Sequence, residues 1–227
     1  MRLSNKFDFT FTPRKSSQFG PKNLLTPLGA IQLADLADDH PANTYVNGRN
    51  IPFLMSRDFW YIDDEEKLEG VSPKYRNRIA GHSPRILIPF CDKRGNMFGL
   101  QGRTLDGKGL RYLTLRLTED KGELIYGLDR WNSSNHTYVC EGPLDSLFLP
   151  NALAVGGSSY KKVRQFLDRD RTTIIYDNEP RNKEIISQMR KAIHDGWGLF
   201  LWPDKITEYD INALVNLGQR PGKIHEM

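Results

Sequence analysis

Glu141, Asp145, Asp177 and Glu179 are the residues whose type and spacing point to chemistry. Glu141 follows directly on Thr137-Tyr-Val-Cys140, a short apolar run that reads as a buried strand. Open α/β sheets hold their ligands in the crevice beyond the carboxyl ends of the strands, so a carboxylate at that point faces the binding position. Gly142 is expected to let the backbone turn there, and Pro143 suits the first position of a helix that places Asp145 in its first turn. A second apolar run, Thr173-Ile-Ile-Tyr176, is followed by Asp177 and Glu179. In extended chain, residues two apart point the same way. Carboxylates gathered in one crevice repel each other unless cations neutralise them, and an all-oxygen donor set suits magnesium. Asp204 and Asp210 follow a fourth apolar run; Asp210 reads first as the N-cap of a helix from Ile211 to Asn216.

The elements that must hold these acids follow a βα rhythm after the polar stretch Trp131–Asn135. Apolar runs at 137–140, 152–155, 173–176 and 198–202 read as parallel strands covered on both faces. Helices are expected to start near 143, 159 and 181, the last with Ile185, Ile186, Met189 and Ile193 on one face. Gly156-Gly157-Ser158-Ser159 is either a phosphate-holding turn or a plain turn with Ser159 as N-cap. Upstream the grammar differs. Ile86–Ile88, Met97–Leu100 and Leu110–Leu117 read as antiparallel strands joined at the turn Asp92-Lys-Arg-Gly-Asn96. Before them, Phe7, Phe9 and Phe11 alternate like an edge strand. Thr26-Pro27 is expected to open a helix with Leu28, Ile31, Ala34 and Leu36 inward, and Pro41 a second one ending at Asn47-Gly48. Phe53, Phe59, Trp60 and Tyr61 read as core, and Asp63–Glu66 as a solvated turn. The fold class is therefore α/β, a parallel sheet flanked by helices preceded by a smaller α+β subdomain, with the division at residues 1–130 and 131–227.

Charge is uneven along the chain. Between Gly70 and Thr118 stand Lys74, Arg76, Arg78, Arg85, Lys93, Arg94, Arg103, Lys108, Arg111 and Arg116 against only Asp92 and Asp106. This basic field precedes the acidic crevice and suits a polyanion. Arg103 and Arg111 are candidates for clamping phosphates bidentately, and Lys93 and Arg94 for backbone-phosphate contacts. Cys91 and Cys140 have neither paired spacing nor a histidine set, so no zinc site is expected in this chain. No apolar run approaches membrane-spanning length and the first residues lack a signal-peptide core, which points to the cytoplasm, the host's if the chain is phage-encoded.

Glu141-Gly-x-x-Asp145, followed by Asp177-x-Glu179, resembles the Toprim signature shared by DnaG-type primases, topoisomerases and some nucleases. The likeness extends upstream. Arg85–Arg103 is similar to the stretch that opens the primases' RNA-polymerase core, and Leu110-Arg-Tyr112 and Tyr126-Gly-Leu128 sit where primases carry Lys-Tyr and Tyr-Gly-Leu. Asp39–Ile51 resembles the lead-in of phage and mobile-element primases. The second acidic motif departs from the family's Asp-x-Asp followed by Ala-Gly: here it is Asp177-Asn-Glu179-Pro-Arg181-Asn, a phage-like variant.

The resemblance implies a Toprim-type sheet and a primase that joins ribonucleoside triphosphates on a single-stranded DNA template with Mg2+, or Mn2+ in its place. It implies Glu141 and Asp145 as catalytic, Glu141, Asp177 and Glu179 as metal ligands, and Arg103, Arg111, Lys93, Arg94 and Gly142 as contacts to nucleotide or template. Neither the family's zinc ribbon nor its helicase-binding module is expected here, which implies a replicative helicase and a separate zinc-binding subunit as partners. The alternatives are a Toprim-type nuclease using the same acids, or a non-catalytic Toprim DNA-binding factor of replication or recombination.

Overall fold

A computed structural model describes residues 16–117, 124–156 and 160–218. The expected strand over Phe7–Phe11 and the turn residues Gly157, Ser158 and Ser159 lie outside the described residues.

The first half builds a five-stranded antiparallel sheet in sequential order. Its strands are β1 (Ile31–Gln32), β2 (Trp60–Ile62), β3 (Arg85–Cys91), β4 (Met97–Thr104) and β5 (Tyr112–Arg116). Helices α1 (Pro21–Leu25), α2 (Pro41–Gly48) and α3 (Phe53–Ser56) flank it. Every residue of β3 is buried, because Ile86, Ile88 and Phe90 enter one core while Leu87 and Cys91 enter another. The second half is a four-stranded parallel sheet of β6 (Thr137–Cys140), β7 (Ala152–Ala154), β8 (Thr172–Ile174) and β9 (Gly198–Leu199), in the order β7-β6-β8-β9. Helices α4 (Pro143–Ser146), α5 (Tyr160–Val163), α6 (Lys183–His194) and α7 (Ile211–Asn216) accompany it.

One core joins the two halves: Ile86, Ile88 and Phe90 pack with Tyr126, Cys140, Ala154, Ile175 and Ile211. Tyr126 also pairs with Ala154 through both backbone bonds, 2.9 and 3.1 Å, extending the parallel sheet by an antiparallel bridge. Val139, Leu153, Ile174 and Tyr176 form a separate core with Ala192 of α6.

The βα rhythm expected after residue 131 is present, with strands shorter at their ends than the apolar runs. Four expectations are corrected. Residues 26–36 do not form a helix: Gly29 takes φ +80°, which closes a short turn of 3-10 helix, and Ile31 then pairs with Tyr61. Phe53 is exposed at the start of α3, whereas Phe59 and Trp60 are core. In α6 the buried residue is Ala192, and Ile193 faces outward. The run Asp63–Glu66 is not merely a solvated turn. Glu65 is buried and its carboxylate receives Nε–H of Arg85, itself 1 % exposed. Arg85 also donates to the carbonyls of Gly102 (2.9 Å) and Leu110 (3.0 Å). It therefore holds β3, β4 and the following loop together and takes no part in the basic surface.

Candidate active site

Glu141 is placed by the end of β6. The Cys140 carbonyl accepts N–H of Val155 (3.1 Å) and the Glu141 carbonyl accepts N–H of Gly156 (3.0 Å), so the loops leaving β6 and β7 are zipped together. Gly142 caps α4 with ordinary extended angles, φ −91° and ψ 135°. Its need for glycine is one of space, not of turning: a Cβ there would lie 2.4 Å from Oδ2 of Asp145. Gly142 thus makes room for an acid of the crevice.

Asp145, in the first turn of α4, accepts N–H of Asn212 through Oδ1 (3.0 Å). Asn212 sits at the start of α7, whose N-cap Asp210 accepts N–H of Ala213 (2.7 Å). The Asn212 side chain is tied in turn to Arg49 at the end of α2: Nη1 of Arg49 donates to Oδ1 (2.6 Å) and Nδ2 donates to the Arg49 carbonyl (2.7 Å). Glu179 is held by Asn182, whose Nδ2 donates to its Oε2 (2.5 Å) while Oδ1 caps α6.

Electrostatics place the acids in one crevice. Burial pushes the Asp177 carboxyl up to about 8, and the charges of Glu141, Asp145, Asp210 and Glu179 add to the rise. Asp145 is raised to about 7 by burial and then by Asp210, with the Asn212 N–H and Arg49 pulling the other way. Glu141, at the open mouth, is raised by lost hydration and then by Glu179 and Glu184. Among the described residues no three of these carboxylates bring oxygens within 4.8 Å of one another; they ring an open crevice, not a closed cage. Hard oxygen donors crowded in one crevice without a counter-charge are a donor set that fits a hydrated divalent cation such as Mg2+ or Mn2+.

This crowding has a measurable sign. Asp177 and Asp145 carry higher pKa values folded than the ordinary carboxylate value that they regain on unfolding. Their stabilising protons are therefore fully held below about pH 4 and lost as pH rises through 7 to 8. In chelator, the melting temperature should fall over that window. Asp177→Asn should flatten the slope, and Mg2+ should restore stability at pH 8. An identical slope in the variant, read by thermal melts, contradicts the crowding.

Asn178, the middle residue of the second motif, braces the two acid-bearing loops. Its N–H donates to the Tyr209 carbonyl (2.7 Å), and Nδ2 donates to the carbonyls of Ile206 and Glu208 (both 3.0 Å). This fixes the segment leading to Asp210 against Asp177. Asn178→Ala removes two side-chain hydrogen bonds, each worth about 0.5–1.5 kcal/mol. Mn2+ half-saturation, followed by electron paramagnetic resonance, should rise about tenfold; unchanged binding means that the brace does not shape the crevice.

The expected basic contacts divide. Arg103 and Arg111 lie together on an aromatic patch. The Arg103 guanidinium sits 4.8 Å from the Tyr112 ring centre and 5.8 Å from that of Tyr45, and Arg111 lies 5.7 Å from Tyr112. Nε and Nη1 of Arg103 are buried with no acceptor among the described residues. Arg49, 5.1 Å over the Tyr45 ring, links this patch to Asp145 through Asn212. Lys93 and Arg94 are elsewhere, on the β3–β4 hairpin tip. There Lys93 lies 4.8 Å over Trp131, beside a cavity of about 410 Å³ lined also by Leu128 and Phe166. Arg49 and Asn212 were missed by residue chemistry; the only signal for Arg49 was its place in the primase-like stretch Asp39–Ile51.

A mixed fold with an acid-lined parallel sheet behind an antiparallel basic one defines a class: it is the fold of the DnaG-type primase catalytic core. The Escherichia coli primase catalytic core superposes with a TM-score of 0.61 at 22 % identity over 82 % of this chain and 71 % of that one. A DnaG primase catalytic domain bound to single-stranded DNA gives 0.61 at 21 % identity over 85 % and 75 %. In sequence, the chain is 32 % identical to the DNA primase of Enterobacteria phage T4 over 222 residues, 94 % of this chain. It spans 63 % of the length of that phage protein. No protein-family model matches the chain.

Proposed function

We propose that this chain is the catalytic core of a DNA primase, synthesising short RNA primers from ribonucleoside triphosphates on single-stranded DNA. The observation that carries the reading is the convergence of Glu141, Asp145, Asp177 and Glu179 on one crevice, where the neighbouring charges raise Glu141 and Asp177. Likeness to phage T4 primase along nearly the whole chain supports it, as does the related DnaG domain bound to single-stranded DNA. Residues 131–227 form the Toprim-type catalytic part in this reading, and residues 1–130 the part that meets nucleotide and template.

Glu141, Asp177 and Glu179 hold the divalent cations, with Asp145 in support. When bound, Mg2+ neutralises the phosphates and favours the attacking alkoxide. The chain's own residues do the rest. Arg103, Arg111 and Arg49 present guanidinium groups to phosphate oxygens, which fixes the α-phosphate in line with the 3′-hydroxyl. Buried Nε and Nη1 of Arg103 are donors already stripped of water and waiting for an acceptor. The 3′-oxygen bonds to the α-phosphorus, the α–β phosphoanhydride bond breaks, and pyrophosphate leaves. The hydroxyl proton passes to a carboxylate oxygen of Glu141, which stands exposed at the mouth of the crevice. Asp145 keeps α7 seated through Asn212. Lys93 and Arg94, on the distant hairpin tip, meet only the phosphate backbone of a longer strand. The chain works in a cytoplasm beside a replicative helicase and a zinc-binding subunit. No helix among the described residues is long and apolar enough to cross a membrane.

The test is product analysis. The protein is incubated with single-stranded DNA, the four ribonucleotides and Mg2+ or Mn2+, and the products are separated by size. Short oligoribonucleotides are expected. Shortened DNA makes the chain a nuclease; retained DNA binding with neither product makes it a non-catalytic factor.

A further inference from the structure

Joining the first two nucleotides requires both to be held, one on each side of the reacting phosphate. The arginine patch borders the acids on one side, through the contacts Arg49–Asn212–Asp145. A cavity of about 570 Å³ opens directly beside Glu179. Its walls come from the second acidic motif and from the loop after β9: Arg181, Trp202, Ile206 and Tyr209 stand around it with the carboxylates of Glu179 and Asp204.

The walls are set and partly unclaimed. The Trp202 indole N–H donates to the Tyr176 carbonyl (2.8 Å) and its ring stands edge-on to Phe200 at 5.2 Å, which fixes the indole plane. The Asn178 brace fixes the opposite wall by three hydrogen bonds to the backbone of residues 206–209. The Tyr209 side chain is 69 % exposed beside this space, though large and aromatic. Arg181 stands on the rim, exposed, with no ion pair among the described residues. Two aromatic faces with a free guanidinium at the rim match a nucleobase joined to a phosphate.

We infer that this cavity holds the initiating nucleoside triphosphate, its base between Trp202 and Tyr209 and its phosphates on Arg181, so that its 3′-hydroxyl is presented across Glu179 to the nucleotide on the arginine patch. The inference rests on the primase reading.

The experiment compares the full chain with Arg181→Ala and Tyr209→Ala, both surface changes whose folding is checked by melting. Formation of the first dinucleotide on single-stranded DNA is measured against extension of a pre-annealed RNA primer, which brings its own 3′-hydroxyl. Loss of a charge-assisted contact or of a base stack should weaken binding about tenfold or more. The KM for dinucleotide formation should therefore rise about tenfold, and the ratio of initiation to extension should fall at least as far. Calorimetry with ATP and GTP in Mg2+ should show weaker binding in both variants. Equal change in initiation and extension, or no change in either, overturns the assignment. If the parent makes no primers at all, the primase reading fails, and ATP and GTP calorimetry then decides the cavity alone: unchanged binding overturns it.

Discussion

Replacing Glu141 by Gln is expected to cut primer synthesis about a hundred- to a thousandfold, the scale on which a single fixed electrostatic partner acts on a transition state. The substitution keeps size and shape and removes one charge and a proton acceptor at the mouth of the crevice. Single-stranded DNA affinity should stay near that of the parent, because the groups proposed to meet phosphate are Arg49, Arg103 and Arg111 on the aromatic patch. A second readout follows from charge repulsion. Glu141 is the first charge to add to burial in raising Asp177, so the variant's Asp177 should titrate lower than about 8. Primer yield on gels, DNA anisotropy and pH titration check the three parts. Synthesis at the parent rate would show that the acid does not act in the reaction.

The largest effect on stability is expected at Glu65. Its carboxylate is buried against Arg85, whose side chain is also inside. Removing one partner of a buried ion pair leaves the other charge uncompensated and costs about 3–5 kcal/mol. Glu65→Ala should therefore lower the melting temperature by roughly 6–20 °C, at about 2–4 °C per kcal/mol for a chain of this size. The carbonyls of Gly102 and Leu110 remain as acceptors for Arg85 but cannot neutralise it. Replacing both partners together, as Glu65→Leu with Arg85→Met, should recover much of the loss, because no charge is left in the core. A shift of less than a few degrees in the single variant means that the pair is not closed to solvent.

The acids of the crevice were legible because each is local to its strand: Glu141 directly follows Cys140, and Asp177 follows Tyr176, so an apolar run and its next residue settle position together. Pairings across the chain were not. Glu65 and Arg85 are 20 residues apart, and Arg49 and Asn212 are 163 apart. Glu65 read alone as part of a solvated turn and Arg85 as part of a basic field, Arg49 and Asn212 carried no reading of their own, and only folding turned them into partners. The basic field was overread for a geometric reason. Cys91 pairs with Met97 and Ile86 with Arg103, so Lys93 and Arg94 occupy one end of the hairpin and Arg103 the other, roughly 20 Å apart at about 3.3 Å per residue. A run of cations along two antiparallel strands is thus split between two surfaces. The helix expected over 26–36 failed because Gly29 and the pairing of Ile31 with Tyr61 outweigh the helical spacing of Leu28 and Ile31.

The account rests on carboxylates from the segments after β6 and β8 sharing divalent cations. Mn2+ binding, measured by electron paramagnetic resonance on the parent, on Asp177→Asn and on His82→Ala, tests this directly. His82 with Asp64 and Glu66 forms, among the described residues, the one cluster of three metal-ligating side chains with atoms within 4.8 Å of one another, and it lies outside the crevice, so it is the internal control. The account predicts Mn2+ bound by the parent, displaced by Mg2+, lost in Asp177→Asn and retained in His82→Ala. Binding that survives Asp177→Asn and disappears in His82→Ala would contradict it.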